Sequence, residues 1–262
     1  MIRYGHVLVT SARQQWVYRG EMVARAVQIV LFMAVFMALW STAYGVSGRT
    51  ELEGYSLGEM IWYLAMTETM ILSSSRIFNE IAEAVRAGDL AYTLARPLRY
   101  PLFQVANSLG GTVPRFLLNF VIASAVVLVA LRQVEGSLAG MGAFLLLAAL
   151  ALFLDALFAV LIGLAAFWLE EIMPVYWMYN KLVFTIGGLF LPLELFPAGL
   201  QQAVRWLPFQ LMAYAPARAL VKFEPAFVLQ TLASQAIYIV ILLAVIHLVW
   251  RVAQRRLVVH GG

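Results

Sequence analysis

The chain has 262 residues, of which 63% are hydrophobic and only 12% charged, and its formal net charge is +4. Soluble domains carry about half apolar and about a quarter charged residues, so this composition excludes a water-soluble fold and indicates an all-α polytopic membrane protein. The absence of cysteine excludes disulfides, thiolate catalysis and cysteine-based metal sites. Because the basic residues are scattered rather than clustered, nucleic acid is not an expected partner.

Six transmembrane helices are predicted along one membrane domain that covers residues 1–262. Residues 1–20 alternate apolar residues with arginine and glutamine, which is typical of an amphipathic helix in the membrane interface. Apolar runs then predict spans near residues 22–46, 57–75, 101–131 and 140–169, a fifth from Pro174, and a sixth near 226–250. Residues 187–225 contain five prolines in apolar sequence, which excludes one continuous helix and predicts a broken, re-entrant hairpin before the sixth span.

The distribution of basic residues predicts the orientation, since short cytoplasmic loops carry an excess of lysine and arginine. If the N-terminus is cytosolic, the inside segments contain Arg3, Arg13, Arg19, Arg25, Arg76, Arg86, Arg96, Arg99, Arg251, Arg255 and Arg256. The outside segments then contain Arg49, Arg132, Arg205, Arg218 and Lys222. Both termini are therefore predicted to be cytosolic.

The longest charged segment on the predicted cytosolic side covers residues 76–100, after the second span. Ile77, Ile81 and Val85 recur at helical spacing, which predicts an amphipathic helix that ends at Gly88. A second short helix follows and is terminated by proline. The sequence thus predicts two short helices on the inner face of the membrane.

Two motifs give the chain a resemblance to a known family. In the cytosolic segment, the pattern E-x-x-x-x-G-x-L-x-x-x-L-x-x-P is matched by Glu83, Gly88, Leu90, Leu94 and Pro97. Before the last span, the stretch GLFLPLELFPAGLQQAVRWLP matches the broken hairpin through Gly188, Pro192, Pro197 and Pro208. Over nearly its whole length the chain resembles the membrane subunits of type 2 ATP-binding-cassette (ABC-2) exporters, especially the small six-span bacterial permeases that export drugs.

The resemblance implies a non-enzymatic permease subunit in the bacterial cytoplasmic (inner) membrane. It would form the translocation pathway for a hydrophobic, amphipathic or cationic small molecule. Two cytosolic ATPase subunits would bind ATP and Mg²⁺, and a second permease, either the same chain or a sister chain, would complete a dimer surrounded by membrane lipid. The chain has no P-loop, because neither Lys181 nor Lys222 lies in a glycine-rich setting, so no cofactor is expected on it.

The resemblance also implies roles for particular residues. The segment 77–97 would couple to the ATPase through Glu80, Glu83, Arg86, Gly88, Asp89, Leu90, Leu94 and Pro97. The broken hairpin would form an outer gate with candidate residues Pro192, Glu194, Pro197 and Pro208.

Four charged residues within predicted spans are further candidates, because burying charge in a bilayer is costly. Counting 1.5 Å per residue from the cytosolic ends places Arg115 and Asp155 both roughly 21 Å deep. By the same count Glu68 and Lys181 lie roughly 10 and 12 Å deep. Similar depths would allow two ion pairs, which would either stabilise helix packing or line a polar path.

Two other function classes compete with the permease hypothesis. A proton-coupled secondary transporter would need a titratable relay, for which Glu68 and Asp155 are the only deep acidic residues. An intramembrane enzyme would need a GxSG, HExxH or paired-aspartate motif, and the sequence contains none. The three histidines are far apart, so no metal site is expected.

Overall fold

The computed structural model describes residues 2–15, 19–88, 90 and 99–260. In these ranges the chain is almost entirely helical, with one two-stranded antiparallel hairpin in which Glu51 pairs with Ser56. The helices are α1 (Ile2–Gln15), α2 (Arg19–Ser47), α3 (Leu57–Leu72), α4 (Ile77–Arg86), α5 (Tyr100–Leu131), α6 (Leu138–Leu164), α7 (Met173–Ile186), α8 (Ala198–Arg205), α9 (Tyr214–Val221) and α10 (Pro225–His260). The strands are β1 (Glu51–Leu52) and β2 (Tyr55–Ser56).

Four helical stretches in the described ranges are long and apolar enough to cross a membrane: Val23–Ser47, Tyr100–Leu131, Leu138–Phe167 and Pro225–Arg255. They correspond to four of the six predicted spans and make the chain a multi-pass membrane protein. The other two predicted spans form helices α3 and α7, of 16 and 14 residues. At 1.5 Å per residue these helices are about 24 and 21 Å long, shorter than a hydrocarbon core of about 30 Å.

Helix α3 is the centre of the bundle. Every residue from Met60 to Ile71 is buried, as expected for a helix that is apolar on all sides. It packs against α2, α5 and α9. Its start is fixed by a capping box, in which Ser56 Oγ accepts from Glu59 N at 3.2 Å and Glu59 Oε2 accepts from Ser56 N at 2.8 Å.

The predicted N-terminal amphipathic helix is α1, and it packs along the first half of α5. Glycine makes this contact possible, because a Cβ at Gly110 would lie 2.6 Å from the carbonyl oxygen of Leu8. Ser11 Oγ donates to Asn107 Oδ1 at 2.5 Å across the same interface. Helix α5 is 32 residues long, about 48 Å, and contains Pro114.

Residues 187–225, called the broken segment below, contain no long helix. Prolines begin its short elements: Pro192 precedes a 3-10 turn at Leu193–Leu195, Pro197 precedes α8, and Pro208 opens a second 3-10 turn. The segment is tied to α3, since Tyr63 Oη donates to the carbonyl of Gly188. The bundle thus has two ends, a β-hairpin end that carries the broken segment and an α4 end that carries α1 and α4.

Candidate functional site

Helix α4 is the described part of the candidate coupling segment. Its strongly amphipathic sequence buries one face, formed by Ile77, Phe78, Ile81 and Ala82. The opposite face exposes the predicted coupling residues Glu80, Glu83, Arg86 and Gly88, whereas Leu90 is buried. Gly88 follows the helix with φ +74°, the left-handed conformation expected of a terminating glycine. Asp89, Leu94 and Pro97 lie outside the described residues.

Partial burial raises the pKa of the Glu80 carboxyl above its usual value, and the hydrogen bond that Asn107 Nδ2 donates to Glu80 Oε2 at 3.1 Å partly offsets this effect. This bond joins α4 to the first half of α5. On the exposed face of α4, Glu80 is therefore hydrogen-bonded to Asn107, whereas the Glu83 side chain is exposed.

The buried face of α4 is held by α6 and α7. The Phe78 ring stacks on Tyr176 of α7, with centroids 4.0 Å apart and an interplanar angle of 20°. Ile81 packs against α6 at Gly163, where a Cβ would lie only 2.8 Å from the isoleucine Cβ. At the end of α4, an Arg86 Nη donates to the carbonyl of Glu170 at 2.6 Å, in the α6–α7 connection. Helix α4 is thus attached to two helices by stacking, close packing and a hydrogen bond.

The turn between α3 and α4, residues 73–75, lies inside the protein rather than at its surface. Ser73 is fully buried, and Ser75 is 3% exposed. Backbone groups at a buried turn need partners that take the place of the helical hydrogen bonds. Asp155 of α6 supplies one: its Oδ2 accepts from Ser75 N at 2.7 Å. Ser75 Oγ in turn accepts from Ile77 N at 3.2 Å, at the start of α4.

Helices α2 and α5 supply the other partners of this turn. Arg25 Nη1 donates to the carbonyl of Leu72 at 3.1 Å, so a cation lies at the C-terminal end of α3, where the helix dipole favours it. From α5, Ser108 Oγ donates to Ser75 Oγ at 2.6 Å and Asn119 Nδ2 donates to Ser73 Oγ at 2.9 Å. The turn is therefore the meeting point of α2, α3, α4, α5 and α6.

Asp155 has a second partner that extends the network to α7. Tyr179 Oη donates to Asp155 Oδ1 at 2.7 Å, so each carboxylate oxygen accepts one short hydrogen bond. The predicted Arg115–Asp155 pair is not formed as a salt bridge between these two described side chains. Arg115 instead donates from Nε to the carbonyl of Gly111 at 2.9 Å. The Asp155 carboxylate therefore accepts one hydrogen bond from the turn after α3 and one from α7.

At the β-hairpin end, the predicted gate residue Glu194 lies in a small ion-pair network. Glu194 Oε1 accepts from Arg218 Nε at 2.9 Å and from Tyr214 Oη at 2.7 Å. Arg218 also donates from an Nη to Glu224 Oε1 at 2.9 Å. Lys222 Nζ lies 3.8 Å from the centroid of the Tyr55 ring, which joins the broken segment to β2. Pro192, Pro197 and Pro208 begin short elements and contribute shape rather than polar groups.

A family model described as ABC-2 family transporter protein matches residues 26–261. This match covers nearly the whole chain, including α3, α4 and the broken segment. The chain belongs to the ABC-2 transporter family. No individual curated protein matches the sequence significantly.

The second predicted ion pair of this ABC-2 protein would join Glu68 to Lys181. Glu68 is 2% exposed within α3, whereas Lys181 lies on the exposed side of α7. No salt bridge or hydrogen bond links these two described side chains. In the part of the chain that the structure describes, no group of three or more histidine, aspartate or glutamate side chains is arranged to hold a metal.

The site residues that the sequence analysis missed in this ABC-2 protein are polar and uncharged. Ser73, Ser75, Ser108, Asn119 and Tyr179 hold the turn and connect α5 and α7 to it. The run of three serines at 73–75 directly before an amphipathic helix is the one sequence feature that indicates them, because serine commonly satisfies backbone groups at helix ends. Tyr179 has no comparable sequence indication.

Proposed function

We propose that this chain is the transmembrane permease subunit of an ATP-binding-cassette exporter in the bacterial cytoplasmic membrane. ATP and Mg²⁺ would be bound by two separate cytosolic ATPase subunits, and a second permease, identical or a sister chain, would complete the pathway. The family match supports a transport role. The observation that carries the coupling role is the attachment of α4, an amphipathic helix with one exposed face, to α3, α6 and α7 at once.

The proposed topology has six spans with both termini in the cytosol. Helices α3 and α7 would be the two short spans, enclosed by the four longer ones. Burial of α3 supports this arrangement, since its ends are covered by protein and need not reach the membrane surfaces. The orientation rests on the arginines of the predicted inside segments, which include Arg76 and Arg86 at the α4 end.

Coupling would proceed through the buried turn. An ATPase that pushes on the exposed face of α4 would displace the 73–75 turn, and the turn is bonded to Asp155 of α6. Asp155 is bonded in the same way to Tyr179 of α7. Because close-packed helices transmit displacement rather than absorb it, α3, α6 and α7 would move together. Two of them, α3 and α7, contact or lead into the broken segment, the proposed outer gate.

The proposed substrate is a hydrophobic, amphipathic or cationic small molecule. Its pathway would lie at the interface with the second permease, with lipid on the remaining apolar faces. Exposed apolar side chains are abundant on α2 and α10, for example Leu31, Val35, Ile237 and Val240, and these faces are available to lipid or to a second permease. Glu68 remains a candidate for contact with a cationic substrate.

The energy source is tested by purification and transport together. The tagged chain should copurify with an ABC ATPase, and substrate uptake into everted vesicles, which corresponds to export, should stop when ATP is depleted and continue when an uncoupler removes the proton gradient. Export that stops with the uncoupler and ignores ATP depletion would refute the permease proposal in favour of a proton-coupled transporter. The family match does not favour that alternative.

The docking site is tested by crosslinking, for which the chain is already free of cysteine. A Glu83→Cys variant should crosslink efficiently to the copurified ATPase through a short bifunctional reagent, because Glu83 lies on the exposed face of α4. Glu51→Cys, equally exposed but at the β-hairpin end, is the matched control and should give no ATPase crosslink. Equal yields from the two positions would contradict docking on α4.

A further inference from the structure

Helices α2, α3 and α7 border a cavity of about 330 Å³ at the α4 end of the bundle. Small-molecule sites generally measure about 300–1,000 Å³, so this cavity fits a group the size of a lipid headgroup. Its polar lining consists of Arg25, Gln28, Ser74, Arg76, Tyr176 and Asn180. The lining residues that the structure describes include two arginines and no carboxylate.

The charged lining of this cavity has a single sign. Arg25 and Arg76 each contribute one positive charge, so the described lining carries about +2, and guanidinium groups keep that charge at any physiological pH. Arg25 is held beside the end of α3, where its Nη1 donates to the carbonyl of Leu72 at 3.1 Å. Arg76 is exposed, and it makes no salt bridge within the ranges that the structure describes. The cavity therefore favours an anion.

A neighbouring cavity offers a direct comparison, because Arg76 lines both. The neighbour measures about 190 Å³, lies between α4 and α5, and has Glu80 and Arg115 in its lining. An anion there would meet the Glu80 carboxylate, which repels it. The larger cavity has no such group among its described lining residues, so it is the better site for an anion.

Neutral donors accompany the two guanidinium groups. The side-chain amides of Gln28 and Asn180 and the hydroxyl of Tyr176 lie in the same lining, and each can donate to an oxyanion. The Tyr176 ring is fixed by stacking on Phe78 of α4, with centroids 4.0 Å apart. Phosphate oxygens match the planar fork of arginine, which binds them through paired hydrogen bonds. The donor set thus fits a phosphate group.

The cavity lies at the end of a membrane-spanning helix. The apolar span in α2 begins at Val23, so Arg25 and Gln28 lie in its first two turns. Val23 and Val27, which alternate with the lining residues along α2, are 66% and 54% exposed. On α7, Trp177 is 63% exposed, and an exposed tryptophan at a span end is typical of the headgroup level. A ligand here would have its polar part in the cavity and its apolar part beside α2 and α7.

We propose that this cavity binds the phosphate of an anionic phospholipid headgroup, with Arg25 and Arg76 as its cationic partners and the acyl chains in the bilayer. A zwitterionic headgroup would bring an ammonium group, for which the described lining provides no carboxylate. Basic pockets between transmembrane helices on the cytoplasmic side commonly bind anionic headgroups, and the α4 end is the proposed cytosolic end. The inference requires α2 to span the membrane but does not depend on ATP coupling.

The test is lipid binding measured by native mass spectrometry of the purified chain, with a phosphoglycerol-headgroup lipid and a phosphoethanolamine-headgroup lipid of identical acyl chains in equal amounts. The wild-type chain should retain the anionic lipid in preference to the zwitterionic one. Arg76→Gln should lower this preference by about tenfold, the value for one charged hydrogen bond. Ala24→Phe should lower retention of the anionic lipid without any change of charge, because Ala24 lines this cavity and not the neighbouring one.

Arg99→Gln is the matched control, an exposed arginine of the same end that lies beside α1 and does not line the cavity. It should leave the lipid ratio unchanged. Arg76 and Ala24 are both exposed, and the ratio is measured within each preparation, so a partly unfolded fraction does not mimic the expected result. Equal retention of both lipids by the wild-type chain, or equal effects of Arg76→Gln and Arg99→Gln, would overturn the proposal.

Two further outcomes separate this site from its alternatives. A loss of preference with Arg76→Gln but not with Ala24→Phe would place the anion in the neighbouring cavity and overturn the assignment. Inorganic phosphate in large excess should leave the lipid bound, because free phosphate gains no apolar contacts beside α2 and α7. Displacement of the lipid by inorganic phosphate would show that the cavity binds a free anion rather than a lipid.

Discussion

Replacement of Asp155 by asparagine should destabilise the bundle and uncouple it, because one carboxylate serves two donors. Ser75 N and Tyr179 Oη each donate at 2.7 Å to a different oxygen. Asparagine keeps one acceptor oxygen and presents an amide N–H₂ group to the other donor, so one charge-assisted hydrogen bond is lost and the remaining one becomes neutral.

The expected loss of stability in Asp155→Asn follows from two ranges of hydrogen-bond free energy. Hydrogen bonds to charged groups contribute about 1.5–3 kcal/mol in proteins, and interhelical hydrogen bonds measured in membrane proteins average about 0.6 kcal/mol and reach about 1.7. Asp155 is 6% exposed and both bonds are short, so the upper part of the membrane range applies. We expect the free energy of unfolding to fall by about 2 kcal/mol in Asp155→Asn. Titration with SDS in mixed micelles, followed by tryptophan fluorescence, measures this quantity.

Double-mutant cycles identify which side chain interacts with Asp155. Tyr179→Phe removes one donor, so its effect and that of Asp155→Asn should be less than additive by about 1 kcal/mol. Arg115→Gln and Asp155→Asn should be coupled more weakly than the tyrosine pair, since Arg115 donates to the carbonyl of Gly111 and acts on the carboxylate through its charge. Strong coupling of Arg115 with Asp155, together with additivity for Tyr179, would refute this account of the network. An Asp155→Asn variant as stable as the wild-type chain would refute it as well.

Four other substitutions give direct tests of the packing and of the backbone conformation. Gly163→Val should destabilise by about 1–3 kcal/mol and reduce ATPase stimulation by substrate, because its Cβ would lie 2.8 Å from an α4 side chain; full activity would contradict the attachment of α4. Gly88→Ala should cost about 1–2 kcal/mol in the SDS titration because φ is +74°, whereas Gly142→Ala, in an open helical position, should stabilise by up to about 1 kcal/mol. Lys222→Met should cost about 1 kcal/mol by removing the cation from the ring of Tyr55, and an unchanged SDS midpoint would show that this contact is not stabilising.

Local features of the fold were predictable from the sequence. The spacing of Ile77 and Ile81 and the position of Gly88 predicted an amphipathic helix, and α4 has those bounds and that terminating glycine. Pro174 in the first turn predicted the start of α7. The prolines of residues 187–225 predicted a break, and each of three begins a new short element. These features depend on backbone restrictions that act over a few residues.

The partners of the buried charged residues could not be predicted from their depth along the predicted spans. The count from Pro101 assumed straight spans that begin at one plane, but α5 is about 48 Å long, more than a hydrocarbon core of about 30 Å requires, and its first half packs against α1. The count for α3 assumed that it reaches the membrane surface, whereas it ends at Leu72 inside the protein. A carboxylate level with that end is captured by the free N–H group of Ser75. Only the tertiary structure reveals that an unsatisfied backbone group is present there.

The two short helices explain why the polar network lies where it does. A helix that ends inside a membrane protein leaves backbone groups that only other protein groups can satisfy, so shortening α3 requires a set of donors and acceptors at its end. At its other end, Tyr63 of α3 bonds to Gly188, the second residue of the broken segment after α7. Helices α3 and α7 are therefore joined at both ends, through Asp155 and through Gly188. A fully satisfied polar network has one preferred geometry, unlike an apolar contact that tolerates sliding. Under the proposed coupling, displacement of α4 would move α3 and α7 as one body and would deliver motion from the α4 end to the broken segment without requiring either helix to bend.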